Sequence, residues 1–432
     1  MSEHLVAWGP KFEELKEIGR SAGLDDLAVT GVEPIIEARR AIEERKALGL
    51  HAGMTFTYGN PVRATDPSQL LEGAQSLLVG IRRYEAPSTN IQRNRQASHK
   101  RTSPAAGAVA AYVSSDEYKL LREGLNAVAA RLEESGAKAL VVMDDNRLVD
   151  RAVASKSGLG WLGRNTMLIH PQLGSWTVIG SVVTDASIQE DSNRVVDECG
   201  ACSRCSVECP TGAINNFGVL DANRCLAWLL QTKGVFPRNH RIALGNRLYG
   251  CDDCQVVCPK NGEPQPVALS APQRESDVDL VELLDSSDEE LIARYGHWYI
   301  PRRRPEYLRR NALVVLGNVG SSSEPEVERV LQAALDSPSP LVRSHAIWAA
   351  CRLGKTKLVE NRLSGSLLRD DPDGWVAAEL AATVALSAIH NGDRVGLLLF
   401  ADKILKFVPP KKTRGHGLRV IREVLAAECA EG

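Results

Sequence analysis

Eight of the ten cysteines in this chain fall between Cys199 and Cys258, and their spacing is that of an iron–sulfur protein. Cys199, Cys202, Cys205 and Cys209 form C-x2-C-x2-C-x3-C, followed at once by Pro210. A loop of three thiolates can cover one face of a four-iron cube, and the fourth cysteine of such a run normally reaches a second cluster. The second set is present as Cys251-x2-Cys254-x3-Cys258-Pro259. Leu248 stands where a full run would place its first cysteine, and Cys225 is the candidate that completes the count. The ferredoxin pattern therefore assigns Cys199, Cys202, Cys205 and Cys258 to one 4Fe–4S cluster, and Cys209, Cys225, Cys251 and Cys254 to the other. Zinc is the competing reading, but zinc sites usually show two separated C-x2-C pairs. Cys351 and Cys429 lie in helical sequence away from the run and read as ordinary thiols.

Paired clusters conduct electrons and need an acceptor. The string Gly158-Leu-Gly160-Trp-Leu-Gly163 matches G-x-G-x-x-G, yet helical sequence precedes it and a hairpin pattern follows. A dinucleotide fingerprint needs a strand before and a helix after, so a compact turn or a close backbone approach to another large cofactor is expected.

The elements around these motifs divide the chain in three. Residues 11 to 50 read as helical, with Phe12, Leu15, Ile18, Ile35, Ile36, Ile42 and Leu48 at helix-like spacing. Residues 77 to 83 and 138 to 143 read as buried strands with a helix from Tyr118 to Ser135 between them, and the runs 167 to 169 and 176 to 184 read as a hairpin across HPQLGS. This gives an α+β domain over 1–190 and a ferredoxin-like two-cluster module over 191–270. Gly262 to Asp288 reads as a linker or an irregular wrap. In the remaining part, 271–432, segments 308–318, 342–354 and 376–387 align at a period of 34, bringing Ala312, Ala346 and Leu380 into register. Stacked helix pairs of the HEAT type are the expectation, and an irregular bundle is the alternative.

The length of 432 residues suits two or three domains. A net charge of −2 gives no global pull towards nucleic acid or anionic membrane. No secretory signal and no run of eighteen apolar residues is read, so a cytoplasmic protein with reduced thiols is expected. Two basic stretches could meet phosphate locally: Arg302–Arg304 with Arg309 and Arg310, interleaved with Trp298, Tyr299 and Tyr307, and Lys411, Lys412 and Arg414 with His416. A solvated charged face is the plainer explanation of both.

With the cysteine runs, LVDRAVASKSGLGWLGRNTMLIHPQLGSW and GNRLYGCDDCQVVCP taken together, the chain closely resembles the epoxyqueuosine reductase family from about Met54 to Gly317. The resemblance implies a nitroreductase-like domain that binds cobalamin beside two 4Fe–4S clusters, with a HEAT-like domain that helps hold tRNA. It implies reduction of the epoxide of epoxyqueuosine at the wobble position, the last step of queuosine formation. Electrons come from an external low-potential donor, and a carboxylic acid protonates the departing oxygen. Counting back six residues from Asp150-Arg151 places that acid at Asp144, with Asp145 adjacent. Arg63, Leu168 and Ile179 match positions that touch cobalamin, the last two through backbone, and Asp144 borders the same cofactor. A monomer is expected.

The chain departs from the family pattern at AYVSSDEYK (111 to 119), at Trp228 and at Arg147, all near the expected substrate side. Those departures leave open a related reductase acting on a small molecule. An electron-transfer protein without its own substrate is the alternative from outside the enzymes.

Overall fold

The computed structural model describes residues 10–85, 105–189, 195–215, 218–262, 277–363, 373–390, 392–400 and 404–425. Contacts divide the chain into two compact units, and the division does not follow linear order. One unit gathers 1–97, 110–229 and 251–276; the other gathers 98–109, 230–250 and 277–432. The cysteine module thus shares a unit with the α+β part, while segments 98–109 and 230–250 group with the C-terminal helices.

The first unit is built on an antiparallel four-stranded sheet. Its order is β1 (Asp26–Gly31), β2 (Ser76–Arg83), β7 (Thr177–Thr184), β4 (Ala139–Val142). Strand β7 is central and buried along its whole length, and its sequence TVIGSVVT accordingly carries no charged residue. Alternate residues face opposite layers. Val178 and Val182 pack with Leu121, Leu125 and Val128 of the helix Glu117–Glu134, whereas Ile179 and Val183 pack with Leu148, Val153 and Leu168. Asp116 caps that helix by accepting the Lys119 N–H at 3.1 Å.

Two expectations for this unit need correction. The stretch 11 to 50 is not continuously helical: β1 separates helix α1 (Phe12–Ser21) from α2 (Ile36–Ala47). Leu27, Ala28 and Val29 are buried on both faces of the sheet, a run without the period of either element. The second correction concerns HPQLGS. His170 and Gly174 do bridge as in a hairpin, but the flanking strands part, because β6 (Leu168–Ile169) pairs with β5 (Trp161–Leu162) and β7 joins the main sheet.

The second unit contains the repeat. Helices Glu306–Val319, Pro340–Arg352 and Gly374–His390 carry the three aligned segments, alternating with Pro325–Leu335 and Thr356–Leu363. The aligned residues Ala312, Ala346 and Leu380 are all buried, as stacked helix pairs require. The stretch read as a linker includes strand β9 (Asp277–Asp279), which pairs with β3 (Ala106–Val109), itself parallel to β8 (Arg247–Tyr249). Helix Leu280–Asp285 follows β9 directly. The helical reading also stops short of the C-terminal end, where β10 (Val395–Phe400) and β11 (Ile404–Lys411) form a hairpin before the helix Arg414–Leu425. The alternating apolar residues of that hairpin carry no 34-residue signal.

Candidate active site and cluster module

The cysteine loops lie against the sheet through the turn 170–175. Asn261, three residues past Cys258, accepts the Ser175 N–H at 2.6 Å and donates to the Gln255 carbonyl at 2.6 Å. Gln255 in turn accepts from Ser175 Oγ at 3.0 Å and meets Tyr84 OH at 3.3 Å. Gly174 has φ +68, and a Cβ there would come within 2.3 Å of Asn261 Oδ1, so this contact requires glycine. His170 Nε2 stands 3.3 Å from Asp26 Oδ2, and Lys16 Nζ lies 3.0 Å from Asp26 Oδ1. Burial alone would raise the Asp26 carboxyl, but the bonds from His170, Lys16 and the Leu27 N–H outweigh it and bring the pKa to about 2.

Most of the module's cysteines lie near one another. Cys199, Cys202, Cys205 and Cys258 line one cavity, together with Arg164, Arg204 and Lys260. Cys209, Cys225 and Cys254 sense one another's charge, and Cys254 also senses Cys205, so the two groups adjoin. Cys251 heads the second loop, with its Sγ 3.1 Å from Asp253 Oδ2. Among the described residues no three His, Cys, Asp or Glu side chains gather closely enough for one metal ion.

Backbone N–H groups point at the sulfurs: Arg164 N–H to Cys199 Sγ at 3.5 Å, and Ala213 N–H to Cys209 Sγ at 3.2 Å. Such donors tune clusters. Burial raises the Cys225 thiol, while the N–H groups of Trp228 and Ala227 act in the opposite direction. Arg164 also donates to the Cys202 carbonyl at 3.2 Å. Its role was missed in the sequence, where the only available signal was a basic residue directly after the glycine string. Cys351 lies in a repeat helix with its Sγ 3.3 Å from Thr383 Oγ1, and Cys429 lies outside the described residues.

The glycine string serves packing. Gly158, at φ +85, follows the helix Asp150–Lys156, and a Cβ on Gly160 would meet the Ile169 carbonyl at 2.3 Å. The β5–β6 hairpin therefore closes over these glycines, with no helix start to receive a pyrophosphate.

The loop between β4 and the helix Asp150–Lys156 holds the candidate acid. Leu148 anchors it in the core, and the Val149 N–H donates to the Ala64 carbonyl at 3.0 Å, tying it to helix α3 (Pro61–Ala64). Asp144 is exposed and adopts φ +48, a left-handed backbone that a non-glycine residue rarely takes. Asp145 and Arg147 form an ion pair at 2.6 Å. The two adjacent carboxyls diverge as a result. Bonding to Arg147 holds Asp145 below the usual carboxylate range, despite opposing burial. Desolvation and then the Asp145 charge raise Asp144. Arg63 is exposed on α3, within electrostatic reach of Asp145. Leu168 and Ile179 have buried side chains in one core cluster, so only their main chain could meet a cofactor.

The basic and aromatic stretch 298–310 is less exposed than its sequence suggests. Trp298 is buried, stacked on Tyr249 at 4.7 Å, and Tyr307 and Arg310 are buried as well. Arg309 is paired with Asp288. Tyr299 and Arg302–Arg304 remain exposed, with Arg302 and Arg303 at φ +52 and +53. Lys411, Lys412 and Arg414 are exposed, whereas His416 is buried.

Comparison with known proteins agrees with these groupings. A 4Fe–4S double cluster binding domain matches residues 198–261, HEAT repeats match 300–385, and a protein family of unknown function matches 369–432. An epoxyqueuosine reductase of Bacillus anthracis is 31% identical over 355 residues, covering 79% of this chain and 90% of the relative. One from Pseudomonas aeruginosa is 32% identical, covering 80% and 95%. A crystal structure of epoxyqueuosine reductase with an epoxyqueuosine-modified tRNA-Tyr stem loop superposes with TM-score 0.77 at 28% identity, over 87% of this chain and 98% of that one. The Bacillus subtilis enzyme, with its aspartate-bearing catalytic loop swung out of the active site, gives 0.76 at 27% identity over the same shares. Identity sustained along nearly the whole length of such relatives, on the same fold, means that this chain belongs to the epoxyqueuosine reductase family of oxidoreductases.

Proposed function

We propose that this protein reduces the epoxide of epoxyqueuosine in tRNA to the alkene of queuosine, using two 4Fe–4S clusters and cobalamin, with Asp144 as the proton donor. The observation that carries the reading is the electrostatic split between Asp144 and Asp145 on a strained loop. A donor must hold its proton near neutrality, and Asp144 is the carboxyl pushed in that direction. When bound, the clusters supply single electrons and cobalamin supplies a metal able to act on carbon.

The chain's own residues do the rest. Cys199, Cys202, Cys205 and Cys258 would hold one cluster, and Cys209, Cys225, Cys251 and Cys254 the other. Arg63 and Asp144 stand open at the loop, and the main chain of Leu168 and Ile179 would back the cofactor, which suits a nitroreductase-like sheet. The functional division follows as 1–190, 191–270 and 271–432. A monomer in the cytoplasm, fed by an external low-potential donor, completes the proposal.

Tyr299 and Arg302–Arg304 would meet the tRNA, as a stem loop is bound in the related crystal structure. Replacing Arg302 and Arg303 by alanine should lower the salt dependence of tRNA affinity by a slope of about 1 per lost phosphate contact. An unchanged slope removes this surface from the interface. The function itself is tested with anaerobically reconstituted protein and an epoxyqueuosine-bearing stem loop. Formation of queuosine is expected, and intact epoxyqueuosine would refute the assignment.

A further inference from the structure

Turning an epoxide into an alkene and water consumes two electrons and two protons. Asp144 can donate one proton at a time and must be recharged. Next to it lies a carboxyl with no role so far. Asp150 opens the helix that follows the Asp144 loop; its Oδ1 is sealed from solvent and has no hydrogen-bond partner. Asp144 stands near enough to Asp150 for its charge to be felt at the Asp150 carboxyl. The charged groups facing Asp150 are Asp144, Asp145 and Arg151. Arg151 is also engaged elsewhere, donating to the Thr166 carbonyl at 2.6 Å. An ionised Asp150 would hold a buried negative charge beside two other carboxyls, and protonation removes that charge.

We propose that Asp150 stores the second proton and passes it to Asp144 after the first transfer. The proposal rests on Asp144 being the donor. In order, Asp144 protonates the departing epoxide oxygen and becomes a carboxylate. Asp150 then gives up its proton, and the hydroxyl leaves as water once Asp144 protonates it. The external one-electron donor supplies both electrons, and solvent reprotonates Asp150. Burial, followed by the Asp144 charge, pushes the Asp150 carboxyl well above its ordinary value, which fits a store that is full at neutral pH.

Asp150→Asn tests this closely, because it keeps the size and shape of the side chain while the transferable proton is gone. In infrared difference spectra at neutral pH, wild type minus D150N should show a protonated-carboxyl stretch that wild type minus D26N, which removes an ionised carboxylate, lacks. No such band overturns the proposal, whether or not the enzyme is active. In single turnover D150N should bind the modified stem loop like wild type but form queuosine about a hundredfold more slowly, the low end for a positioned acid. D150E should recover most of that loss. A D150N rate equal to wild type overturns the store. A D144N rate equal to wild type instead overturns Asp144 as donor, and the infrared result still reports the state of Asp150.

Discussion

Two regions of this molecule bury charge, and they do so in opposite ways. In the repeat unit, Arg241 lies 2.8 Å from Glu379, which also pairs with Arg238. Arg310 is fully buried and donates to the carbonyls of Leu230, Thr232 and Gly234 at 2.6–3.0 Å. His345 is held neutral, first by burial and then by Arg241. The Phe236 N–H donates to its Nε2 at 3.0 Å, so its Nδ1–H donates to the Leu341 carbonyl at 2.7 Å. Here each buried cation faces oxygen, the Glu379 carboxylate for Arg241 and main-chain carbonyls for Arg310, as a stabilising network requires. In the 144–151 loop, by contrast, a buried oxygen of Asp150 lacks a partner and the Asp144 backbone is left-handed. Matched burial suits a structural role, and unmatched burial beside a left-handed backbone is the setting that makes the loop a candidate for proton transfer.

The cluster ligands give the largest expected effect. C209S and C258S should each abolish turnover and lower iron well below the roughly eight atoms per chain of two clusters. Full iron in either variant, by chemical assay, contradicts the ligand assignment. D144N should slow turnover by about 100- to 10,000-fold without weakening tRNA binding. Because the donor's protonated fraction falls as pH rises through its raised pKa, the rate should fall towards alkaline pH. D145N removes the neighbouring negative charge, lowers the Asp144 pKa and should move that fall to lower pH. A profile that stays in place would equate the two carboxyls and undo the contrast.

On the matched side, E379Q strands Arg241 and Arg238 and should cost about 3–5 kcal/mol in denaturant unfolding of the helical part. A loss under about 1 kcal/mol would mean that the network is not stabilising. The smallest effect concerns Asp26. Its depressed pKa contributes about 2 kcal/mol. That contribution is present above the unfolded value of 3.8 and lost as pH falls through about 2. D26N should remove it near neutrality, and equal stability of D26N and wild type at neutral pH would exclude it.

The cysteine module was legible because cluster ligation is local: three thiols at fixed short spacing must come from one loop. The repeat was legible for a related reason, since each helix pair stacks on its neighbour and leaves a period. Strand β1 was not, because burial on both faces erases periodicity, and the terminal hairpin falls outside the repeat. The basic and aromatic stretch was overread for the opposite reason, since sequence lists Trp298, Tyr307 and Arg310 beside exposed arginines without saying which of them are buried.

By itself, then, the sequence determined the metal chemistry, the stacked helices and the family, all of which depend on residues close together along the chain. Tertiary structure decided the character of each carboxyl in MDDNRLVDR. Three aspartates within seven residues look alike as letters. An ion pair from Arg147, desolvation at Asp144 and the sealed oxygen of Asp150 make them different, because a proton's affinity depends on the charges and solvent around it.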